Sequence, residues 1–274
     1  MANTTALAIR ALDALARVAI VYHAGRRHSA TFISIGARSG ESVLFTLTWR
    51  GAVGTAVALP WLFAAWFTPS RANVGGRITI LERPGAKTTD LANAVVYLEP
   101  AGLGRGNPAP TPVEIVMQSR QFIPRVRVVT AGSTVLFPNQ DPFRHNVFSN
   151  TGPAMFDLGL YGRGDSKGAT LRKAGAFPIF CNIHARMSAF VLVVPTPFFT
   201  QANADGRFTI SGVPPGSYTL RVWHDRGGEH TRPLNVPSDG VTELEASLDA
   251  RGYKSVQHKN KFGQPYSPAG RDRY

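Results

Sequence analysis

Between residues 76 and 248 the apolar residues come in short runs or alternate with polar ones, and the dominant period is two. In Arg125-Val126-Arg127-Val128 basic and apolar residues take turns, the mark of a strand with one buried face. Short β-branched or aromatic runs predict further strands over 77–81, 94–98, 134–137, 145–148, 176–180 and 190–194, with a Gly/Pro loop over 102–112. A second series follows Pro195, over 207–211, 218–223, 234–236 and 241–248. Tyr218, Leu220 and Val222 fall on one strand face, as do Leu244, Ala246 and Leu248 on another. No helical period of useful length occurs here. The pattern predicts an all-β protein, a Greek-key sandwich with a small appended β module.

The expected order is a first domain over 73–195, the small module over 196–250 and a basic, flexible tail over 251–274. Roughly fifty residues make a thin core, so the module is expected to pack on the first domain. In the alternative order, 94–98 belongs to the module and the first domain is inserted into it. The linear order is the preferred one.

Ahead of these domains, 51–67 is uncharged and apolar, and Ser70-Arg71-Ala72 places small residues at the −3 and −1 positions of a cleavage site. This reads as a secretory signal peptide, with a mature periplasmic chain beginning near Asn73. Pro60 and the small-residue exit favour cleavage over retention as a membrane anchor. Residues 1–49 are long for a leader, so the true start is placed at Val43, Leu44 or Leu47, from a non-AUG codon. The segment 4–22 is rich in Ala and Leu and could form a helix.

A net charge of +13 raises nucleic acid as a partner, but the charge is concentrated at the ends. Residues 1–72 and 251–274 carry +5 each, and 73–250 carries +3. No nucleic-acid-binding motif accompanies the basic residues, which argues against that class. The single cysteine, Cys181, excludes internal disulfides and paired-cysteine redox or zinc motifs.

The chemistry gathers around that cysteine. Cys181, His184 and Met187 form a Cys-x2-His-x2-Met run, and His145 follows Asn139-Gln140-Asp141 upstream. Two imidazoles and a thiolate with a weak axial thioether are the ligand set of a type 1 copper site. Zinc could take Cys181, His145 and His184 but gains little from Met187. No His-Cys-His run and no Ser/His/Asp set accompany these residues, so the expectation is a carrier and not an enzyme.

These residues resemble the cupredoxin family, and the short loop is similar to the amicyanin type. "AVVYLEP", "FPNQDPFRHNVFS", "FPIFCNIHARMSAFVLVV" and "GRFTISGVPPGSYTLRVWH" together resemble cupredoxins of the methylamine-utilisation group, and 205–248 resembles carboxypeptidase regulatory-like modules. The resemblance implies one copper ion held by His145, Cys181, His184 and Met187, with Asn146 tying the ligand loops together. It also implies electron transfer between redox partner proteins, with copper trafficking or storage as the alternative. A structural module with a vestigial site is a third. Around His184, the apolar Pro142, Phe143, Ile183 and Ala185 with Arg144 and Arg186 would suit an acidic redox partner. The remaining histidines read as bystanders: His224 as the polar end of a half-exposed strand, His230 and His258 as solvated, His23 and His28 as part of the removed leader. Met117 and Met155 read as core filler.

Overall fold

The computed structural model describes residues 71–102 and 109–266, together with the backbone of three earlier strands, β1 (Val18–His23), β2 (Ser29–Ile35) and β3 (Ser42–Thr48). The chain divides into two compact units, Met1–Thr68 and Pro69–Tyr274. In the first, β1, β2 and β3 form an antiparallel sheet in that order. The helix expected over 4–22 is therefore corrected at its C-terminal end. Val18, Ile20 and Val21 are β-branched, lose side-chain freedom in a helix and fit a pleated strand. The apolar run 51–67 and the start of the cleavage motif lie outside the described residues. Among those described, no helix is long and apolar enough to cross a membrane.

The second unit begins with β4 (Ala72–Leu81) and β5 (Val95–Pro100). Next come β6 (Val113–Glu114), β7 (Val116–Gln118), β8 (Gln121–Ile123), β9 (Val126–Thr130) and β10 (Ser133–Pro138). Then follow β11 (His145–Ser149), β12 (Phe156–Tyr161), β13 (Ser166–Leu171), β14 (Gly175–Phe180) and β15 (Ser188–Val194). The last five are β16 (Phe199–Gln201), β17 (Arg207–Val213), β18 (Gly216–His224), β19 (Gly228–Val236) and β20 (Val241–Asp249).

Strand pairing overturns the linear domain order. β4 lies between β17 and β20, and β5 lies between β16 and β18, so the first two strands belong to the same sandwich as the last five. Strands β6 to β15 form a separate sandwich inserted between β5 and β16, from the sheets β12-β11-β14-β15-β9 and β13-β10-β6 with a β7-β8 hairpin. The physical reason is core size. Strands β16 to β20 alone bury one face poorly, and Val74, Ile78, Ile80, Val96 and Leu98 complete that core. Gly76 is where β4 runs closest to its parallel partner β20, since any Cβ there would collide with the backbone of Leu244.

The two sandwiches stack through period-two alternation. In β5, Val96 and Leu98 face the host core while Val95 and Tyr97 face the insert. In β15, Ala189, Val191 and Val193 face the insert's own core while Leu192 and Val194 meet the host. Val126, Val128 and Trp223 complete this junction. A fully buried Val or Leu here contributes about 1.5–3 kcal/mol relative to exposure, which joins the sandwiches into one unit. Arg125 of the insert adds an ion pair, 2.7 Å from Asp225 of the host.

Two further expectations are corrected. His224 is fully buried, not half exposed, and Met155 is 72% exposed, while Met117 does fill the core. The tail over 251–266 follows the protein surface instead of hanging free, and His258 is half-buried and not solvated.

Candidate metal centre

The site lies at one end of the inserted sandwich, where β11 begins and where β14 hands over to β15. His145 is the first residue of β11, Cys181 directly follows β14, and His184 and Met187 lie with it on the seven-residue return to β15. The return is closed by two backbone hydrogen bonds, Cys181 N–H to the Met187 carbonyl (3.2 Å) and Met187 N–H to the His184 carbonyl (3.0 Å). All four side chains are buried, with His184 the most open at 8%.

His145, Cys181 and His184 offer donor atoms that all lie within 4.8 Å of one another. Cys181 Sγ is 3.8 Å from His145 Nδ1 and 3.5 Å from His184 Nδ1, so both rings turn the same nitrogen inward. Phe143 closes the outside, its ring centroid 5.2 Å from that of His145 and 5.7 Å from that of His184. Met187 packs in the same apolar cluster as Cys181, Val147 and Tyr161.

The upstream loop is what aims His145. Asn139 pins it, its Nδ2 donating to the carbonyls of Phe143 and Tyr161 while its Oδ1 accepts from Asp141 N–H. Asp141 then meets His145 Nε2 at 2.8 Å, which leaves Nδ1 for the centre. The same carboxylate accepts the N–H groups of Ser119 and Arg120, two non-glycine residues at φ 53° and 57° in the β7-β8 turn. A left-handed turn without glycine needs such a fixed anchor. Burial pushes the Asp141 carboxyl up, but these three hydrogen bonds outweigh it and hold the group below its ordinary range. Burial depresses the basicity of His145, against the pull of Asp141.

Burial also pushes the Cys181 thiol up, opposed by hydrogen bonds to sulfur from the backbone N–H groups of Ile183, Asn146 and His184. A soft thiolate, two imidazoles and a nearby thioether-bearing residue fit copper.

Asn146 joins the loops differently from expectation. Its backbone reaches the sulfur, while its Nδ2 donates to Asp157 Oδ1 at 2.6 Å, on β12 and not on the ligand loop. Sequence reasoning singled out neither Asp157 nor the role of Asp141. Asp141 had a usable signal, a carboxylate four residues before a candidate ligand, whereas Asp157 had none.

A second group with close donor atoms, Asp90, His224 and Asp225, sits at the junction of the two sandwiches. Arg226 occupies its Asp90 side, with guanidinium nitrogens 2.6–2.7 Å from both Asp90 oxygens and 2.7–3.1 Å from both Glu82 oxygens. His224 Nδ1 accepts the Arg226 N–H at 3.1 Å, and Nε2 lies 3.2 Å from the Asp90 carbonyl. This is an ionic latch.

Comparison with known proteins gives two findings. Residues 187–249 match the carboxypeptidase regulatory-like domain, which takes in β15 of the insert and the host strands β16 to β20. No curated protein matches the chain. Solved structures similar to part of the chain include a novel purple cupredoxin from Nitrosopumilus maritimus, at 19% identity and a TM-score of 0.28, covering 30% of this chain and 99% of that one. Another is amicyanin from Paracoccus versutus, at 23% identity and a TM-score of 0.29, covering 30% of this chain and 81% of that one. An oxidised amicyanin variant, at 18% identity and a TM-score of 0.29, covers 37% of this chain and 99% of that one.

Proposed function

We propose that the chain is a periplasmic one-electron carrier that holds one copper ion at His145, Cys181, His184 and Met187 and serves redox partner proteins. The observation that carries this reading is the meeting of a buried thiol with two imidazoles, both presenting Nδ1, in an otherwise apolar pocket. Copper, when bound, supplies the change between Cu(II) and Cu(I), for which this mixed soft and borderline donor set is suited.

The protein's own part is to hold those donors still. Asp141 fixes the His145 ring, the two backbone bonds close the loop, and Phe143 keeps water off both imidazoles. Little movement between oxidation states means a low barrier to electron exchange. His184 is the ligand nearest the surface, and a shallow hollow lined by Phe143, Arg144, Leu160 and Ile183 lies on this end of the insert. An apolar hollow with an arginine at its edge suits brief docking with an acidic partner. Export to the periplasm rests on the 51–72 leader pattern in the sequence.

The test is the visible spectrum of the copper-loaded protein. An intense thiolate-to-copper band is expected, and Cys181→Ser should abolish it. A pale spectrum in the full-length protein would favour trafficking or storage, and a band that survives Cys181→Ser would remove the site altogether.

A further inference from the structure

The chain after β20 is fastened to the host and then returns to the metal centre of the insert. The Arg83 guanidinium donates to the carbonyls of Arg251 (2.8 Å) and Tyr253 (2.7 Å), which fixes the start of the tail. Farther on, Asn260 builds a turn by accepting the N–H groups of Phe262 and Gln264 on its side chain, both at 2.9 Å. Between and beyond these anchors, three consecutive residues around the cysteine are each engaged. The His258 ring stacks on Phe180, with centroids 4.4 Å apart and planes 20° apart. The Lys261 N–H donates to Asn182 Oδ1 at 2.9 Å. The Tyr266 hydroxyl donates to the carbonyl of Cys181 itself at 2.6 Å.

The grip extends to the other side of the site. Lys261 Nζ lies 2.5 Å from Asp157 Oδ2, and the other oxygen of that carboxylate accepts from Asn146. One lysine of the tail therefore touches Asn182 beside the cysteine and, through Asp157, Asn146 beside His145. His258 in turn meets Tyr266, with its Nδ1 3.2 Å from the phenol oxygen and the rings edge to face.

We infer that 254–266 is a positioning strap for the Cys181 ligand, with Tyr266 and Lys261 as its positioning residues. The inference rests on the copper reading above and deepens it. A thiolate's direction and electron density govern both the spectrum and the potential of such a centre. Fixing Phe180, Cys181 and Asn182 from outside holds the sulfur toward His145 and His184, and the phenol draws density from the ligand's own carbonyl. Of the tail's basic residues, Lys261 supplies the cation that meets Asp157.

The experiment compares the full-length protein with Tyr266→Phe, with Lys261→Ala, with a chain ending at Tyr253, and with Val256→Ala as a control at a position 83% exposed. Copper-loaded samples are read by the ratio of their visible bands, the copper hyperfine splitting and the reduction potential. Metal-free samples are read by the rate at which a thiol reagent labels Cys181. Tyr266→Phe should keep the colour, shift the band ratio and hyperfine splitting, and speed labelling about threefold to tenfold. Lys261→Ala should act in the same direction, the shortened chain more strongly, and Val256→Ala should change nothing. If Tyr266→Phe and the shortened chain match the full-length protein in all readouts, the strap is only a cover and the inference is wrong. Lack of colour in the full-length protein would instead defeat the copper reading, and labelling of the metal-free samples would still decide the strap.

Discussion

Among the described residues, two places bring the donor atoms of a histidine and two other side chains within 4.8 Å of one another, and they are built differently. Around His145, Cys181 and His184 the inward-facing atoms meet one another across apolar surroundings, and the outward-facing Nε2 of His145 is taken by Asp141. Around His224 the carboxylates of Asp90 and Asp225 are each engaged by an arginine, and the ring is bonded to backbone. Close donor atoms are common to both. What separates them is that arginine cations engage the carboxylates of the second group, while the inward atoms of the first meet one another.

The sharpest way to break this contrast is to remove one histidine from each group. His145→Ala is expected to lower copper affinity by more than about 100-fold, since even supporting residues around a metal are typically worth 10–100-fold. His224→Ala should leave copper binding and spectrum unchanged and lower unfolding stability by about 1–3 kcal/mol, because it strands buried backbone groups. Copper titration and urea unfolding on both variants check this, and a copper defect in His224→Ala would dissolve the distinction.

A smaller effect sharpens the latch. Arg226→Ala leaves Glu82 and Asp90 facing each other with side chains 13% and 24% exposed. Breaking a fully buried pair costs more, so about 2 kcal/mol is expected here, measured by urea unfolding with the copper spectrum as an unchanged control.

The smallest effect is the acid response. Hydrogen bonding from Arg226 leads in holding Glu82 below its ordinary 4.5. For Asp90, burial pushes upward, but Arg226 and the nearby His224 outweigh it and hold the group below 3.8. Because both folded values are lowered, their contribution is fully present above the ordinary range and is lost as pH falls through the lowered values. The unfolding midpoint should hold steady down to about pH 5 and then drop, with a shallower drop in Arg226→Ala. Equal slopes in the two proteins would place the acid sensitivity elsewhere.

Much of this was legible in the residues. Strand β18 was readable because Tyr218, Leu220 and Val222 alternate into the host core, and β9 because Val126 and Val128 alternate with arginines, although Val129 turns its other face into the insert's core. The run 181–187 stood out because soft donors at that spacing are rare, and the structure brings Cys181 and His184 together with His145. Strands β12 and β13 were not, because Gly159, Gly168, Asp157 and Lys167 break the apolar period on strands with little burial. The insertion stood only as the second of two orders, on the strength of 94–98, because the pairing of β4 with β20 that decides between them is a long-range property that neither segment announces. The tail was misread for a related reason. Its composition describes a solvated segment, and only the position of Asp157 and the Cys181 carbonyl gives it somewhere to bind.

The inserted topology also sets an order of assembly. Every strand of the inserted sandwich lies within 113–194, so that domain can close as soon as this stretch of chain is free. The host cannot, because β4 must wait for β20, which begins about 160 residues later at Val241. Contacts that distant are slow to form, and until they do β4 and β5 present unpaired edges. During synthesis, the strands that start the chain's second unit are therefore among its last to be paired, and the finished insert is what brings the two halves of the host within reach.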